Sequence, residues 1–159
     1  MKKKKQEKKK LRSDNILTGV AGEYLVAGEL SKRGYIASIT LRNTRGIDIL
    51  VSNRNATKPV GIQVKSTKYG DARSWMLNEK AENYYADNLF YVFVNLKDNN
   101  QRPDFFIVPS KVVAKYTKKF HKAWLKIPNR EGGKHQNTTM RKFSDIKDLY
   151  LEKWESLNL

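Results

Sequence analysis

Apolar positions along the chain switch between a helical period and a strand period. In TGVAGEYLVAGELSKRGY, from Thr18 to Tyr35, the residues Val20, Tyr24, Ala27 and Leu30 keep helical spacing. That stretch predicts a helix capped by Thr18 and ended by Gly34 after Lys32 and Arg33. Gly19, Gly22 and Gly28 lie at or inside it. An interior Gly costs a helix about 1 kcal/mol against Ala, so these positions imply close packing or room left for another group. YIASITL, IDILVS and VGIQVKS then predict three strands, and NEKAENYYAD predicts a helix. LFYVFVNL is apolar or aromatic almost throughout, the pattern of a central strand buried on both faces. DFFIVP reads as one more strand. Ser110 is positioned to cap KVVAKYTKKFHKAWL, where Val113, Tyr116, Phe120 and Trp124 keep helical spacing. PNREGGKHQNTT reads as a loop. SDIKDLYLEKWESL predicts a last helix with Ile146, Leu149, Tyr150, Trp154 and Leu157 on one stripe. The order implies an α/β fold, a mixed sheet with flanking helices.

Polar residues interrupt two of these strands. Asp48 stands among Ile47, Ile49 and Val51, while Gln63 and Lys65 alternate with Ile62 and Val64. If the two strands form an antiparallel hairpin whose turn centres between Asn55 and Ala56, paired residue numbers add up to 111. Asp48 then lies opposite Gln63, and Gly46 opposite Lys65. Opposite residues share a face, and a slip of one would set polar against apolar. Asp48, Gln63 and Lys65 are therefore expected on one face, with Ile47, Ile49, Ile62 and Val64 in the core. Glu23 shares a helix face with Val26, Ala27 and Leu30, and a carboxylate on an apolar stripe needs a partner or a metal. Glu29 is a rival candidate, nearer Lys32 and Arg33. Two acids, an amide and an amine suit a hard cation such as Mg²⁺, which takes one or two carboxylates, waters and phosphate oxygens. Such a site can promote phosphodiester cleavage.

Charge points to the partner. The 159 residues carry 32 Lys and Arg against 16 acids, a net +16. The first twelve contribute +7, which leaves +9 on the rest. A body this basic favours a polyanion, and an ordinary solvated lysine-rich surface is the plainer alternative. Residues 1–12 have nothing apolar to bury and are expected to form a disordered basic tail, with residues 13–159 a single domain. With no Cys there is no disulfide, thiolate metal site or thiol nucleophile. No apolar run is long enough to span a bilayer and no signal-peptide pattern is present, so a cytoplasmic protein without a membrane partner is expected.

Taken in order, GVAGEYLVAGELSKRGY, RGIDILVS and GIQVKSTK resemble the PD-(D/E)xK nuclease superfamily, in the branch of archaeal Holliday junction resolvases and certain intron-encoded endonucleases. The resemblance implies a restriction endonuclease-like αβββαβ core with a mixed central sheet, followed by C-terminal helices. It implies a metal-dependent DNA endonuclease, with Mg²⁺ or Mn²⁺ as cofactor and duplex or branched DNA as partner. Asp48 would be the main metal ligand and Glu23 a second, direct or through water. Lys65 would act on the attacking water and the scissile phosphate. Gln63 stands where the usual acid would be and would offer the metal its carbonyl oxygen, so the site loses one negative charge and weaker Mg²⁺ binding, or one metal rather than two, is expected. Ile47 stands where the motif has proline. Relatives often act as dimers, which suits cutting two strands. The alternative is a nucleic-acid-binding module on the same fold that has lost cleavage or depends on a partner subunit.

Arg42, Arg45, Arg54, Ser66, Thr67 and Lys68 surround the motif and are candidate phosphate contacts. Trp75, Tyr84 and Tyr85 could stack on bases, although such residues more often belong to a core. His121 and His135 have no second His or Cys at ligand spacing, which favours structural roles.

Overall fold

The computed structural model describes the backbone of residues 2–41, 46–68, 73–98 and 100–159, and side chains from residue 14 onward within these stretches. Helix α1 spans Lys2–Lys32. Thr18 lies inside it and donates its hydroxyl to the Asp14 carbonyl at 2.8 Å, so it does not cap the helix as its sequence position suggested. Gly34 ends α1 as expected. At φ +86° it takes the left-handed conformation, and Tyr35 N–H bonds back to Leu30 O at 3.2 Å.

Five strands form the main sheet: β1 (Ile36–Ile39), β2 (Ile49–Ser52), β3 (Val60–Thr67), then β5 (Leu89–Asn95) and β6 (Asp104–Pro109), in that spatial order. All neighbours are antiparallel except β3 and β5, which are parallel. The chain between β3 and β5 contains β4 (Ser74–Asn78) and a 3-10 turn, Glu79–Glu82, where the sequence suggested a helix over 78–87. Helix α2 (Ser110–Trp124) follows β6, and β7 (Met140–Ser144) pairs with β4 in a second, two-stranded sheet. The mixed α/β architecture expected from the sequence is the one observed.

The sheet separates two apolar layers. On one face Val26 and Leu30 of α1 pack against Ile49, Val51, Ile62, Val64 and Val92. On the other, Tyr91, Phe93, Phe106 and Val108 meet Trp75, Phe143 and Val113. Every residue of β5 is buried, as its unbroken apolar run requires. Tyr24, assigned by spacing to the core stripe, is 67% exposed; among the described side chains of α1, from residue 14 onward, the buried positions are Gly22, Val26 and Leu30. At Gly22 an added Cβ would stand 1.7 Å from Ser66 Oγ, so this glycine is what lets α1 lie directly on β3. Gly19 and Gly28 meet nothing within 4 Å.

Two further expectations are revised. Ser110 does not cap α2; its hydroxyl donates to Ala86 O at 3.0 Å and ties the helix start to the segment before β5. The last predicted helix is only a 3-10 turn, Trp154–Leu157. Asp148 and Glu152 adopt positive φ and break any longer helix. The buried Asp145 carboxylate accepts from the N–H groups of Leu149 and Tyr150, which further fixes that chain as a turn. Ile146 and Leu149 of the supposed apolar stripe are left 81% and 61% exposed.

Candidate active site

The β2–β3 hairpin sets the geometry. Its register pairs Ile49 with Ile62, Leu50 with Gly61 and Val51 with Val60, which is the sum of 111 expected from the face match. Ile49, Ile62 and Val64 face the core. Ile47 does not join them. Its side chain lies over Gly61, on the opposite face, because Gly46 at φ +66° turns the chain just before it.

The ladder between β2 and β3 splits at Asp48. Asp48 N–H donates to Ile62 O at 2.8 Å, and Asp48 O accepts from Thr40 N–H at 2.9 Å. Regular pairing would next send Val64 N–H to Ile47 O. That carbonyl is instead taken by the Thr40 hydroxyl at 2.6 Å, and Val64 N–H donates to the Asp48 carboxylate, Oδ2, at 2.7 Å. The side chain replaces a missing backbone acceptor, as an obligatory donor inside a sheet demands. Asp48 is therefore held in the plane of the sheet, in the gap between two strands. The sequence placed it on the same face as Gln63 and Lys65; the structure puts it edge-on beside them.

Gln63 and Lys65 are half-buried and line a cavity of about 720 Å³ together with Gly46, Tyr84 and Tyr91. Tyr91 pairs with Gln63 across the parallel β3–β5 junction. Burial pushes the Tyr91 phenol up to about 12, and the nearby charges of Tyr84 and Asp48 add to the shift. Its hydroxyl is thus neutral and a donor at ordinary pH. Tyr91 was missed because it sits in a run of buried apolar residues; only the β3–β5 register identifies it. The Tyr84 ring occupies the space where a Cβ on Gly46 would go, 2.5 Å from it.

Glu23 is half-buried on α1, next in sequence to Gly22, whose backbone packs on Ser66 and Val64 on the α1 side of β3. Strand alternation sends Gln63 and Lys65 to the other side. Asp48, in the plane, stands between them. Glu29, the rival acid, pairs with Arg33 and Arg102 on the far part of α1. Among the described residues no group of three or more His, Asp or Glu side chains could hold a metal ion. A hydrated Mg²⁺ needs only one or two carboxylates. Asp48 with the Gln63 amide fits such an ion in its leanest form.

The candidate phosphate contacts divide. Ser66 Oγ is buried against α1 without a hydrogen-bond partner, and Thr67 is buried, so neither side chain is open to a phosphate; Lys68 is exposed. Arg54 lies in the β2–β3 turn and donates to Gly34 O at 3.3 Å, at the end of the hairpin away from Lys65. Arg42 and Arg45 fall outside the described residues. Trp75 is core, donating its indole N–H to Val94 O at 3.1 Å, while Tyr85 is 54% exposed. His121 bonds Asn137 at 2.8 Å, and His135 stacks on Trp124 at 3.9 Å; both fasten the loop after α2, the structural role their isolation suggested.

Among the described residues no helix is long and apolar enough to cross a membrane. No family model matches the sequence, and no curated protein matches it. Solved structures of similar fold include two nucleases. One is a bacterial homing endonuclease, at 13% identity and TM-score 0.48, with 87% of each chain covered. The other is a Holliday junction resolvase from Archaeoglobus fulgidus, at 14% identity and TM-score 0.37, with 79% of this chain and 88% of that one covered.

Proposed function

We propose that this chain is a metal-dependent DNA endonuclease of the PD-(D/E)xK kind, hydrolysing phosphodiester bonds. The observation that carries the reading is Asp48 fixed at the ladder split beside Gln63 and Lys65. One Asp48 oxygen completes the sheet through the Val64 N–H, and an acid in a strand gap next to an amide and an ammonium two residues apart suits a metal-assisted site. The basic body, +9 without its first twelve residues, supports a polyanionic substrate.

In this reading Asp48 and Gln63 would hold Mg²⁺ or Mn²⁺, and Glu23 would reach the ion through water from the α1 side. The ion, when bound, neutralises phosphate charge and makes a bound water more acidic. Lys65 draws the scissile phosphate to the site and stabilises the charge that builds on its oxygens. The Val64 N–H keeps the Asp48 carboxylate from rotating away. Lys68 contacts the flanking phosphates, as do Arg42 and Arg45. Two copies of the chain would serve a substrate in which both strands are cut.

The second reading, a binding module that has lost cleavage, is favoured by Gln63 in place of an acid and by the small number of carboxylates. The test is cleavage of plasmid and four-way-junction DNA with Mg²⁺ or Mn²⁺, for the wild type, Lys65→Ala and Asp48→Ala. We expect metal-dependent cutting that each substitution reduces by about 10²-fold or more. Salt-sensitive DNA binding without cutting by any of the three proteins would favour the binding module.

A further inference from the structure

The cavity beside the candidate catalytic residues is larger than a phosphate requires. At about 720 Å³ it lies within the range of sites that enclose small organic ligands. Its lining has a distinct chemistry. The half-buried Tyr84 supplies an aromatic ring, and Leu77 and Ala81 an apolar floor. Gln63, Asn78 and Asn83 bring carboxamides. Among the described residues the only charged ones in the lining are Lys65 and Lys80.

Each part has a use for one kind of ligand. Aromatic rings accept the face of any nucleobase. Carboxamides match the paired donor and acceptor groups along a base edge. Asn78 Oδ1 already accepts from Lys80 N–H at 3.1 Å, so Asn78 offers its NH₂ as a donor. The Tyr91 hydroxyl, on the lining, offers another. Two ammonium groups, with no carboxylate among the described lining residues, suit an anionic backbone passing the mouth. A base within a paired duplex cannot reach such a recess; an unpaired or extruded one can.

We propose that this cavity receives a single unpaired nucleobase of the DNA, stacked against the half-buried Tyr84 ring, while its adjoining phosphate lies at Lys65. The inference rests on the nuclease reading for its partner, DNA, and not on cleavage. It selects the substrate class: DNA with an extrahelical or single-stranded nucleotide at the scissile position, over continuous duplex.

The test uses the full-length protein in EDTA, so that no DNA is cut. Fluorescence anisotropy measures its affinity for a labelled paired duplex and for the same duplex with one bulged nucleotide. We expect the bulged DNA to bind about tenfold more tightly. Asn83→Trp, a substitution at an exposed rim position, should fill the recess and bring the ratio near one. Tyr91→Phe, which keeps the ring and removes the hydroxyl, should retain most of the preference; thermal melting checks that both variants fold. Equal affinity of the wild type for the two DNAs, both salt-sensitive, overturns the cavity proposal and leaves the nuclease reading standing. An unchanged preference in Asn83→Trp also overturns it, because the bulge is then bound elsewhere. Absence of binding to either DNA overturns the partner on which both proposals depend.

Discussion

Asp48 Oδ2 accepts the backbone N–H of Val64 at 2.7 Å, so one carboxylate both completes the sheet and stands at the candidate active site. These two roles can be separated. Asp48→Asn keeps an acceptor for Val64 and removes the charge, so it should unfold near the wild-type urea midpoint while losing cleavage. Asp48→Ala also strands the Val64 donor and should cost a further ~1–3 kcal/mol. Urea melts beside cleavage assays check this, and equal stability of the two variants would remove the structural role.

Gly22 and Ser66 touch across the α1–β3 interface, and the contact is specific to this glycine. Gly22→Ala should force α1 away from β3 and destabilise by ~1–3 kcal/mol. Gly28→Ala meets nothing and sits on an exposed helix face, so it should stabilise by ~0.5–1 kcal/mol. Ser66→Ala removes a buried hydroxyl that has no partner, and should be neutral or stabilising. Chemical denaturation of the three variants tests the packing; a stable Gly22→Ala would mean that the helix sits farther from the strand.

Burial would raise the Glu29 carboxyl, but hydrogen bonds from Arg102 and Arg33 outweigh it and hold the group below its ordinary value of 4.5. A depressed carboxyl contributes stability above that value and loses it as pH falls through the folded-state value. The wild type should therefore be more stable than Arg102→Ala at neutral pH, with the two curves converging in acid. Denaturation midpoints followed below pH 4.5 measure this, and parallel curves would contradict it.

Tyr91 titrates in the other direction. Its phenol is raised from 10.0 to about 12, so between these values the unfolded chain releases a proton that the folded chain keeps. Stability must fall as pH rises through that window. Tyr91→Phe should show a smaller alkaline loss than the wild type. Denaturant midpoints at the two ends of the window give the comparison, and equal losses would place Tyr91 in a more open setting.

Sequence patterning was most informative where a face was at stake. The β2–β3 register follows from keeping Ile49, Ile62 and Val64 inward, and the all-apolar run of β5 marks it as central. The split at Asp48 was not legible, because it depends on Thr40 taking the Ile47 carbonyl from a third strand. Strands β4 and β7 escaped notice for a similar reason. Each has five residues, and the two lie far apart in sequence; they become strands only by pairing Trp75 with Phe143 over the Phe93 ring. The last predicted helix had the right spacing of apolar residues but not the backbone, since Asp148 and Glu152 turn left-handed within it. Glu23 was read as a buried acid, and it is half-buried at the seam between helix and sheet.

The parallel junction of β3 and β5 obliges the chain to leave the sheet and return, and the excursion carries β4 and the turn at Glu79–Glu82. That one segment forms the outer wall of the cavity, through Leu77, Asn78, Lys80, Ala81, Asn83 and Tyr84, whereas Asp48, Gln63 and Lys65 belong to the hairpin. In the proposed reading, recognition and chemistry would thus be written on separate stretches of chain. Such a division gives natural variation, or a designer, a replaceable part: the excursion can be recast to accept a different guest while the hairpin that would do the cutting is left as it is.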